Sequence, residues 1–207
     1  MKLHISFNVM DLTQAVDVAS QTEDLCDAFE VGPILLMKYG TQAIHEFRKK
    51  FPQKIIICDT NIAEFETEIV SIASQAGGDW VTVLAGAGAN TIHNTCVSAH
   101  NLGKKVMVDF IDAATAGQIA VDAKSLGADA LVVHNTTSSP YTLLDNWDMV
   151  KGNTTLPVFI CTHVNRNNIN ELIRLDPAGI SIGHAITIAN DPRAEAQFFY
   201  DIIRERP

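Results

Sequence analysis

The hydrophobic residues of this chain are concentrated in short apolar runs that recur at intervals of roughly 25 residues. Most runs are rich in β-branched residues and several are apolar throughout, which is typical of parallel strands covered on both faces. The pattern predicts eight strands, at Leu3–Phe7, Ala28–Val31, Ile55–Cys58, Trp80–Leu84, Val106–Phe110, Ala130–Val133, Pro157–Cys161 and Gly179–Ile182.

The segments between these runs carry their hydrophobic residues at helical spacing. Glycines end several of them, at Gly77-Gly78, Gly103 and Gly127, as expected where a helix closes with a left-handed residue. Asn190-Asp191-Pro192 predicts the cap and first turn of a final helix that continues to about Glu205. The clearest apolar stripes are Phe65, Ile69, Ile72 and Ala73; Ile92, Cys96, Val97 and Leu102; and Ile119, Val121, Ala123 and Leu126.

Repetition of a strand and a helix eight times predicts an α/β fold, a single (β/α)8 TIM barrel domain over residues 1–207. An open doubly wound sheet is the alternative, but eight strand–helix units of similar length followed by a closing helix favour a closed barrel. No Gly-x-Gly-x-x-Gly motif follows the first strand, so the sequence gives no support to a dinucleotide-binding fold.

Composition narrows the class of protein further. Hydrophobic residues make up 47% of the 207 residues and charged residues 19%. In soluble domains roughly 25% of residues are charged, so the low fraction here indicates a large core, a subunit interface, or both. The net charge of −9 disfavours nonspecific nucleic-acid binding. No apolar run is long enough for a membrane span and Met1–Val9 is too short for a signal peptide, so we expect a cytoplasmic protein. Four widely spaced cysteines are expected to be buried hydrophobes without disulfides.

Polar residues follow the predicted strands, where the catalytic groups of a barrel lie. Three of them are carboxylates, which repel one another on one face unless a cation neutralises them. Glu30 and Asp59 are hard oxygen ligands on neighbouring strands and form a candidate Mg²⁺ site. His134 is the candidate acid–base group, because histidine titrates near neutral pH. The residues at the strand ends are Asn8, Glu30, Asp59, Gly86, Asp109, His134, Thr162-His163 and Gly183-His184.

Several of these segments resemble a known enzyme family over essentially the whole chain. The sequence is similar to 3-hexulose-6-phosphate synthase and 3-keto-L-gulonate-6-phosphate decarboxylase, which belong to the orotidine 5′-monophosphate decarboxylase suprafamily of barrels. The segments that carry the resemblance are Lys2-Leu3 with Asn8, Phe29-Glu30-Val31-Gly32, Cys58-Asp59-Thr60-Asn61-Ile62-Ala63-Glu64, Asp79 to Leu84, Val108-Asp109, Val133-His134, Gly183 to Thr187 and Asn190-Asp191-Pro192.

The resemblance implies a Mg²⁺-dependent lyase that acts on a sugar phosphate through an enediolate. One family member forms or cleaves a carbon–carbon bond by aldol chemistry with formaldehyde, and the other releases CO₂. Glu30 and Asp59 match the metal-binding acids, Asp109 an acid on the fifth strand, and His134 the histidine that moves protons. The family is dimeric with sites at the subunit interface, and Glu64 matches the acid that reaches into the neighbour's site.

The sequence departs from the family pattern within the predicted site. Asn61 stands where the family has lysine, and Asn8 replaces the aspartate that pairs with that lysine, so the two changes compensate in charge. Glu64 replaces an aspartate and is one methylene longer.

The predicted phosphate end departs as well. Thr162-His163 replaces a pair of glycines, whose backbone N–H groups approach the phosphate. Gly183 is retained and His184 follows it. We expect His163, His184 and Arg166 to bind an anion through their side chains instead.

Three functions remain open on the sequence. The first is a lyase like 3-hexulose-6-phosphate synthase, with Asn61 donating a hydrogen bond where lysine usually lies. The second uses the same enediolate chemistry in another reaction, either the decarboxylase or a sugar-phosphate isomerase or epimerase. The third is a non-catalytic dimeric barrel that binds a ligand, because the family lysine is absent.

Overall fold

The computed structural model is a closed barrel of eight parallel strands, which follow one another around the barrel in chain order. It describes residues 1–111, 116–134 and 143–205, with the backbone alone for residues 143–146. Strand β1 pairs with both β2 and β8, so the predicted barrel is confirmed and the open sheet is excluded. The strands are β1 Lys2–Phe7, β2 Ala28–Val31, β3 Ile55–Ile62, β4 Trp80–Leu84, β5 Lys105–Asp109, β6 Ala130–His134, β7 Val158–Cys161 and β8 Gly179–Ile182.

Strand β3 is the one predicted strand whose length was clearly wrong. The prediction ended it at Cys58, whereas the strand continues to Ile62 after a register shift against β4. Side chains support the extension: the Thr60 hydroxyl donates to the carbonyl of Thr82, and the Asn61 amide donates to the Thr82 hydroxyl. Asp59 and Asn61 are therefore strand residues and not loop residues.

Helices cover the outside of the barrel and end largely as predicted. Gly77, Gly103 and Gly127 adopt positive φ at helix ends. The carboxylate of Asp191 accepts from the Ala194 amide and caps the last helix, as predicted. The described helices are α1 Leu12–Thr22, α2 Pro33–Tyr39, α3 Thr41–Lys50, α4 Glu66–Gln75, α5 Ala89–Asn101, α6 Ala116–Leu126, α7 Leu143–Lys151, α8 Ile169–Arg174, α9 His184–Thr187 and α10 Pro192–Arg204. None of the helices in the described ranges is long and apolar enough to cross a membrane.

The predicted apolar stripes were wrong in part. In α4 the buried residues are Val70 and Ala73, whereas Ile72 is exposed. Phe65 precedes the helix in a left-handed conformation, which turns its side chain away from the core. The other stripe residues that the structure exposes are Val97, Leu102 and Val121.

The barrel interior is apolar near the N-terminal ends of the strands and polar near their C-terminal ends. Near the N-terminal ends of the strands, Met107, Ala130, Val132 and Phe159 form a small cluster that is separate from the main core. Towards the C-terminal ends, side-chain hydrogen bonds between hydroxyls and carboxylates join β1 and β8 to β2, and β4 to β3. The polar chemistry predicted for the strand ends therefore lies inside the barrel as well as at its rim.

Candidate active site

Glu30 is a buried carboxyl group inside the barrel on β2. The Ser6 hydroxyl of β1 donates to Oε1 at 2.5 Å, and the Ser181 hydroxyl of β8 donates to Oε2 at 3.2 Å. Burial raises the pKa of Glu30, although the two hydrogen bonds oppose that shift. Three strands thus hold this carboxylate in one orientation.

Asp59 on β3 is the second buried acid, and its Oδ1 accepts a hydrogen bond from the Thr82 hydroxyl at 2.9 Å. Burial, followed by the negative charges of Glu30 and Asp109, raises the pKa of Asp59 to about 7. The two other acids therefore make ionisation of Asp59 less favourable, and a cation between them would relieve that cost.

Asp109 and His134 form a charged pair at the ends of β5 and β6. Oδ2 of Asp109 lies 3.2 Å from Nδ1 of His134. Desolvation alone would lower the pKa of His134, but the hydrogen bond to Asp109 and the neighbouring Cys161 side chain together raise it to about 11. The contact with Asp109 therefore favours the protonated form of the ring and fixes its orientation.

Three buried oxygen atoms near these groups lack hydrogen-bond partners within the described residues. They are Oδ1 of Asn8, Oδ1 of Asn61 and Oδ1 of Asp109. The rest of each asparagine is held: Asn8 Nδ2 donates to the Ser6 hydroxyl at 3.3 Å, and Asn61 has the left-handed φ of 46° that asparagine tolerates. A buried acceptor without a partner costs about 1–3 kcal/mol, so these atoms favour a ligand that supplies a cation or hydroxyl donors.

A cavity of about 480 Å³ opens beside this cluster at the C-terminal end of the barrel. We call it the mouth cavity, and it brings together the five residues predicted to bind substrate or phosphate. His184 is further fixed by a contact of 3.0 Å between its Nε2 and the Asn8 carbonyl. The residues that line the mouth cavity are Ser6, Asn8, His134, Cys161, Thr162, His163, Val164, Asn165, Ser181, Gly183, His184 and Ala185.

The prediction that Arg166 binds an anion was wrong. Its guanidinium donates to the carboxylate of Glu195 at 2.9 Å and lies 3.9 Å from the centroid of the Phe198 ring. Both contacts fix the side chain against α10, outside the residues that line the mouth cavity.

Four site residues were absent from the sequence-based prediction or misassigned by it. Ser6, Thr82 and Ser181 hydrogen-bond the buried carboxylates. Each is a polar residue inside an apolar strand, and the alternation of strand side chains could have placed it on the inner face. Cys161 was expected to be fully buried, but it is partly exposed and lines the mouth cavity; the four cysteines are free, as predicted.

Glu64 lies outside the cluster, because its side chain is exposed to solvent beyond the end of β3. Five exposed apolar residues lie in the loop after β1, on α2, and on or just before α4, and we call them the apolar patch: Met10, Ile34, Met37, Phe65 and Ile72. A second cavity of about 330 Å³ connects this region with Asp59 and Thr60, since Met37 and Ile72 line the same space.

The predicted metal ion would have two carboxylates of this cluster as its protein ligands. In the part of the chain that the structure describes, no group of three or more histidine, cysteine or acidic side chains has the arrangement of metal ligands. Mg²⁺ requires fewer, because it retains waters and is held through one or two carboxylates. The hard oxygen donors, the raised carboxyl pKa values and the unpartnered oxygens fit such an ion at Glu30 and Asp59.

Comparison with known proteins places these residues in a family. Curated relatives include 3-hexulose-6-phosphate synthase from Bacillus subtilis (strain 168), 25% identical over 212 residues that cover 98% of this chain and 99% of that protein. A solved structure of 3-hexulose-6-phosphate synthase from Salmonella typhimurium has a TM-score of 0.92 and 27% identity, covering 98% of both chains. The crystal structure of KGPDC from Streptococcus mutans, at 21% identity and a TM-score of 0.85, shares the fold over 98% of this chain and 97% of its own. The model of the orotidine 5′-phosphate decarboxylase / HUMPS family matches residues 1–199, and the chain therefore belongs to that family.

Proposed function

We propose that this protein is a Mg²⁺-dependent sugar-phosphate lyase that carries out the aldol reaction of 3-hexulose-6-phosphate synthase through an enediolate. The relatives with the highest similarity reported above bear that name. The observation that carries the proposal is the group of three buried acids at the C-terminal end of the barrel, one of which, Asp109, lies 3.2 Å from the His134 ring. This arrangement suits a reaction in which negative charge develops on a bound sugar.

Glu30 and Asp59 would hold the metal ion. When bound there, a divalent cation would polarise the sugar carbonyl and stabilise the negative charge of an enediolate. The two serine hydroxyls on Glu30 and the Thr82 hydroxyl on Asp59 keep both carboxylates pointed into the barrel. This preorganisation removes the need for the ligands to reorient during turnover.

His134 would transfer a proton to or from a carbon or oxygen atom of the substrate. Asp109 receives its Nδ1–H and stabilises the charged ring, so the other ring nitrogen is directed away from this contact. The neighbouring unpartnered oxygen of Asp109 is an acceptor for a sugar hydroxyl. Asn8 and Asn61 would add neutral hydrogen bonds where the related enzymes are expected to use a charged pair.

The sugar phosphate would enter through the mouth cavity. Thr162, His163 and His184 supply polar side chains there, and Gly183 leaves the backbone open to close approach. The phosphate would lie at this end, opposite the carboxylates, because the negative groups at the base of the site repel it.

We also propose that the protein is a homodimer formed through the apolar patch. Met37 is 90% exposed and Phe65 is 68% exposed. Phe65 has a φ of 58°, a conformation that is unfavourable for a bulky residue unless its surroundings hold it. Burial against a second copy would remove this apolar surface from water and bring Glu64 close to the partner's site.

The proposal is tested by incubating the purified protein with Mg²⁺ and hexulose 6-phosphate and following the products by NMR. We expect formaldehyde and a pentulose phosphate, with activity lost when the metal is chelated. Release of CO₂ from a ketogulonate phosphate, or isomerisation of a pentulose phosphate, would support the other reactions of the same site. Absence of turnover together with Mg²⁺-dependent thermal stabilisation by a sugar phosphate would support the non-catalytic barrel.

A further inference from the structure

The N-terminal end of the barrel contains a cavity that the proposed lyase reaction does not use. It has a volume of about 330 Å³ and opens between the first residues of several strands. We call it the lower cavity; Lys2, His4, Trp80, Lys105 and Phe159 are among the residues that line it. A volume of this size is within the range of small-molecule sites.

His4 is a buried polar side chain that lines this cavity. It is only 5% exposed, and its ring stacks on Phe159 with the centroids 4.7 Å apart. No hydrogen bond from the His4 ring occurs within the residues that the structure describes. Burial lowers the pKa of His4 to about 4, although the charge of Asp27 opposes the shift. The ring is therefore neutral at pH 7 and presents one donor and one acceptor to the cavity.

The walls of the lower cavity favour a flat apolar molecule. Phe159 and Trp80 are aromatic, and Met107 and Ala130 complete an apolar lining. Aromatic rings gain about 0.5–1.5 kcal/mol from stacked or edge contacts beyond the burial of their area. An aromatic ring would use these contacts more fully than a sugar would.

Two lysines and one acid line the opening, namely Lys2, Lys105 and Asp129. Lys2 and Lys105 form no ion pairs among the described residues, and the Lys105 ammonium lies 5.2 Å from the centroid of the Trp80 ring. The acids at this end already have partners: Asp27 accepts from Arg204, and Asp129 accepts from the Val106 amide and lies 2.9 Å from the His100 ring. One negative group on the ligand would therefore complement the rim.

The helix dipoles limit how much negative charge a ligand can carry in the lower cavity. In this barrel the helices run opposite to the strands, so their C-terminal ends and partial negative charges lie at the same end as the lower cavity. A dianionic phosphate is disfavoured there, whereas a carboxylate with a single charge is compensated by either lysine.

We propose that the lower cavity is a second ligand site, independent of the lyase site, that binds a small aromatic carboxylate. The ring lies against Trp80 and Phe159, the carboxylate lies towards Lys2 and Lys105, and the His4 ring hydrogen-bonds the buried part of the ligand. The site is at the opposite end of the barrel from Glu30 and His134, so it can be occupied together with the mouth cavity.

The test is a titration of the isotope-labelled full chain with benzoate, followed by NMR. We expect saturable shifts of amides around Met107, Ala130 and Phe159, and weaker binding of benzamide, which lacks the charge. Lys105→Gln should weaken benzoate about five-fold and leave benzamide unchanged, since one exposed cation contributes modestly. Lys151→Gln is the matched control: its ammonium lies 5.8 Å from the Trp147 ring, away from the cavity, and the change should have no effect.

Each alternative result overturns the proposal. Shifts confined to residues of the mouth cavity would place the ligand at the lyase site. Equal affinity for benzoate and benzamide would remove the role of the lysines, and equal effects of the two lysine substitutions would indicate nonspecific attraction. Absence of saturable binding up to the solubility limit of benzoate would show that the cavity takes no such ligand.

Discussion

Asp59 is a single residue whose charged form is unfavourable in the metal-free protein. Its carboxyl group is buried beside two other acids, so ionisation costs free energy in the absence of a cation. The difference between the ordinary pKa of 3.8 and the value of about 7 in the folded protein sets an upper bound on the order of 4 kcal/mol on that cost above pH 7. The metal-free protein should therefore lose this part of its stability as pH rises from 4 to 7.

Asp59→Asn should stabilise the metal-free protein at pH 7 and abolish catalysis, because the amide carries no charge and binds Mg²⁺ poorly. We expect a higher free energy of unfolding in urea without metal, loss of the stabilisation by Mg²⁺, and a loss of turnover of about 100-fold or more. Asp17→Asn, which removes an exposed acid from α1, is the control and should leave all three unchanged. Retention of turnover by Asp59→Asn would contradict the proposed metal site.

Asn61 is the residue at which this chain departs most from its expected family pattern. We expect Asn61→Lys alone to lower activity, because Asn8 offers no counter-charge. The double substitution Asn8→Asp with Asn61→Lys should recover part of the loss, with a coupling energy of about 1–3 kcal/mol in a double-mutant cycle of kcat/KM. Higher activity in the single variant would show that the site has decayed rather than been remodelled.

His4 gives a prediction about acid stability. Its pKa is about 4 in the folded protein and 6.5 in the unfolded chain, so only the unfolded chain takes up a proton as pH falls from 6.5 towards 4. The contribution of neutral His4 to the free energy of unfolding is fully present above pH 6.5, and it should decrease by on the order of 3 kcal/mol by pH 4.

The comparison of His4→Leu with the wild type in urea unfolding at pH 7 and pH 5 checks this response. The free energy of unfolding of His4→Leu should fall less than that of the wild type between pH 7 and pH 5. Asp59 contributes with the opposite sign but equally in both proteins, so its contribution cancels when the two are compared. His45→Leu, an exposed histidine on α3, should follow the wild type. The same slope in all three proteins would contradict the assignment.

At the scale of elements, the site depends on how closely β1 and β2 approach at their C-terminal ends. A Cβ at Gly32 would lie 2.1 Å from Oδ1 of Asn8, so only glycine leaves space for that side chain. Gly32→Ala should displace Asn8 from the mouth cavity and destabilise the protein by about 1–3 kcal/mol.

We expect Gly32→Ala to weaken sugar-phosphate binding about 10-fold or more in calorimetry, since small displacements of positioning groups are costly. Gly86→Ala is the matched control, because a Cβ there meets no atom within 4 Å and the residue does not have a positive φ. Unchanged binding in Gly32→Ala would show that Asn8 does not contribute to the ligand site.

Sequence patterns predicted most elements because a buried parallel strand needs an apolar run whatever its neighbours are. They failed at β3, where polar residues from Asp59 to Asn61 continue the strand. That extension depends on hydrogen bonds to Thr82 on the adjacent strand, and the sequence of β3 alone contains no sign of the partner.

At the scale of the whole molecule, the apolar patch is the main feature that a single chain leaves unexplained. Met37→Glu should prevent the proposed dimer from forming, because it places a charge at the most exposed hydrophobic position of the patch. Light scattering should show a change from dimer to monomer, with lower activity if Glu64 acts across the interface.

Val121→Glu is the control for this substitution, since Val121 is an exposed apolar residue on α6 and does not belong to the patch. It should leave the oligomeric state unchanged. A wild-type monomer at micromolar concentration, or a dimer that tolerates Met37→Glu, would contradict the proposed interface.

The sequence by itself determined the barrel, because eight apolar runs at even spacing and the helices between them are local features. It also identified Glu30, Asp59, Asp109 and His134 as residues at the ends or in the upper parts of strands. Only the tertiary structure decided which hydroxyls hold the acids, that Arg166 is fixed by Glu195, and that His4 faces a separate cavity. Those outcomes depend on contacts between residues far apart in the chain, whose distances and burial no local pattern contains.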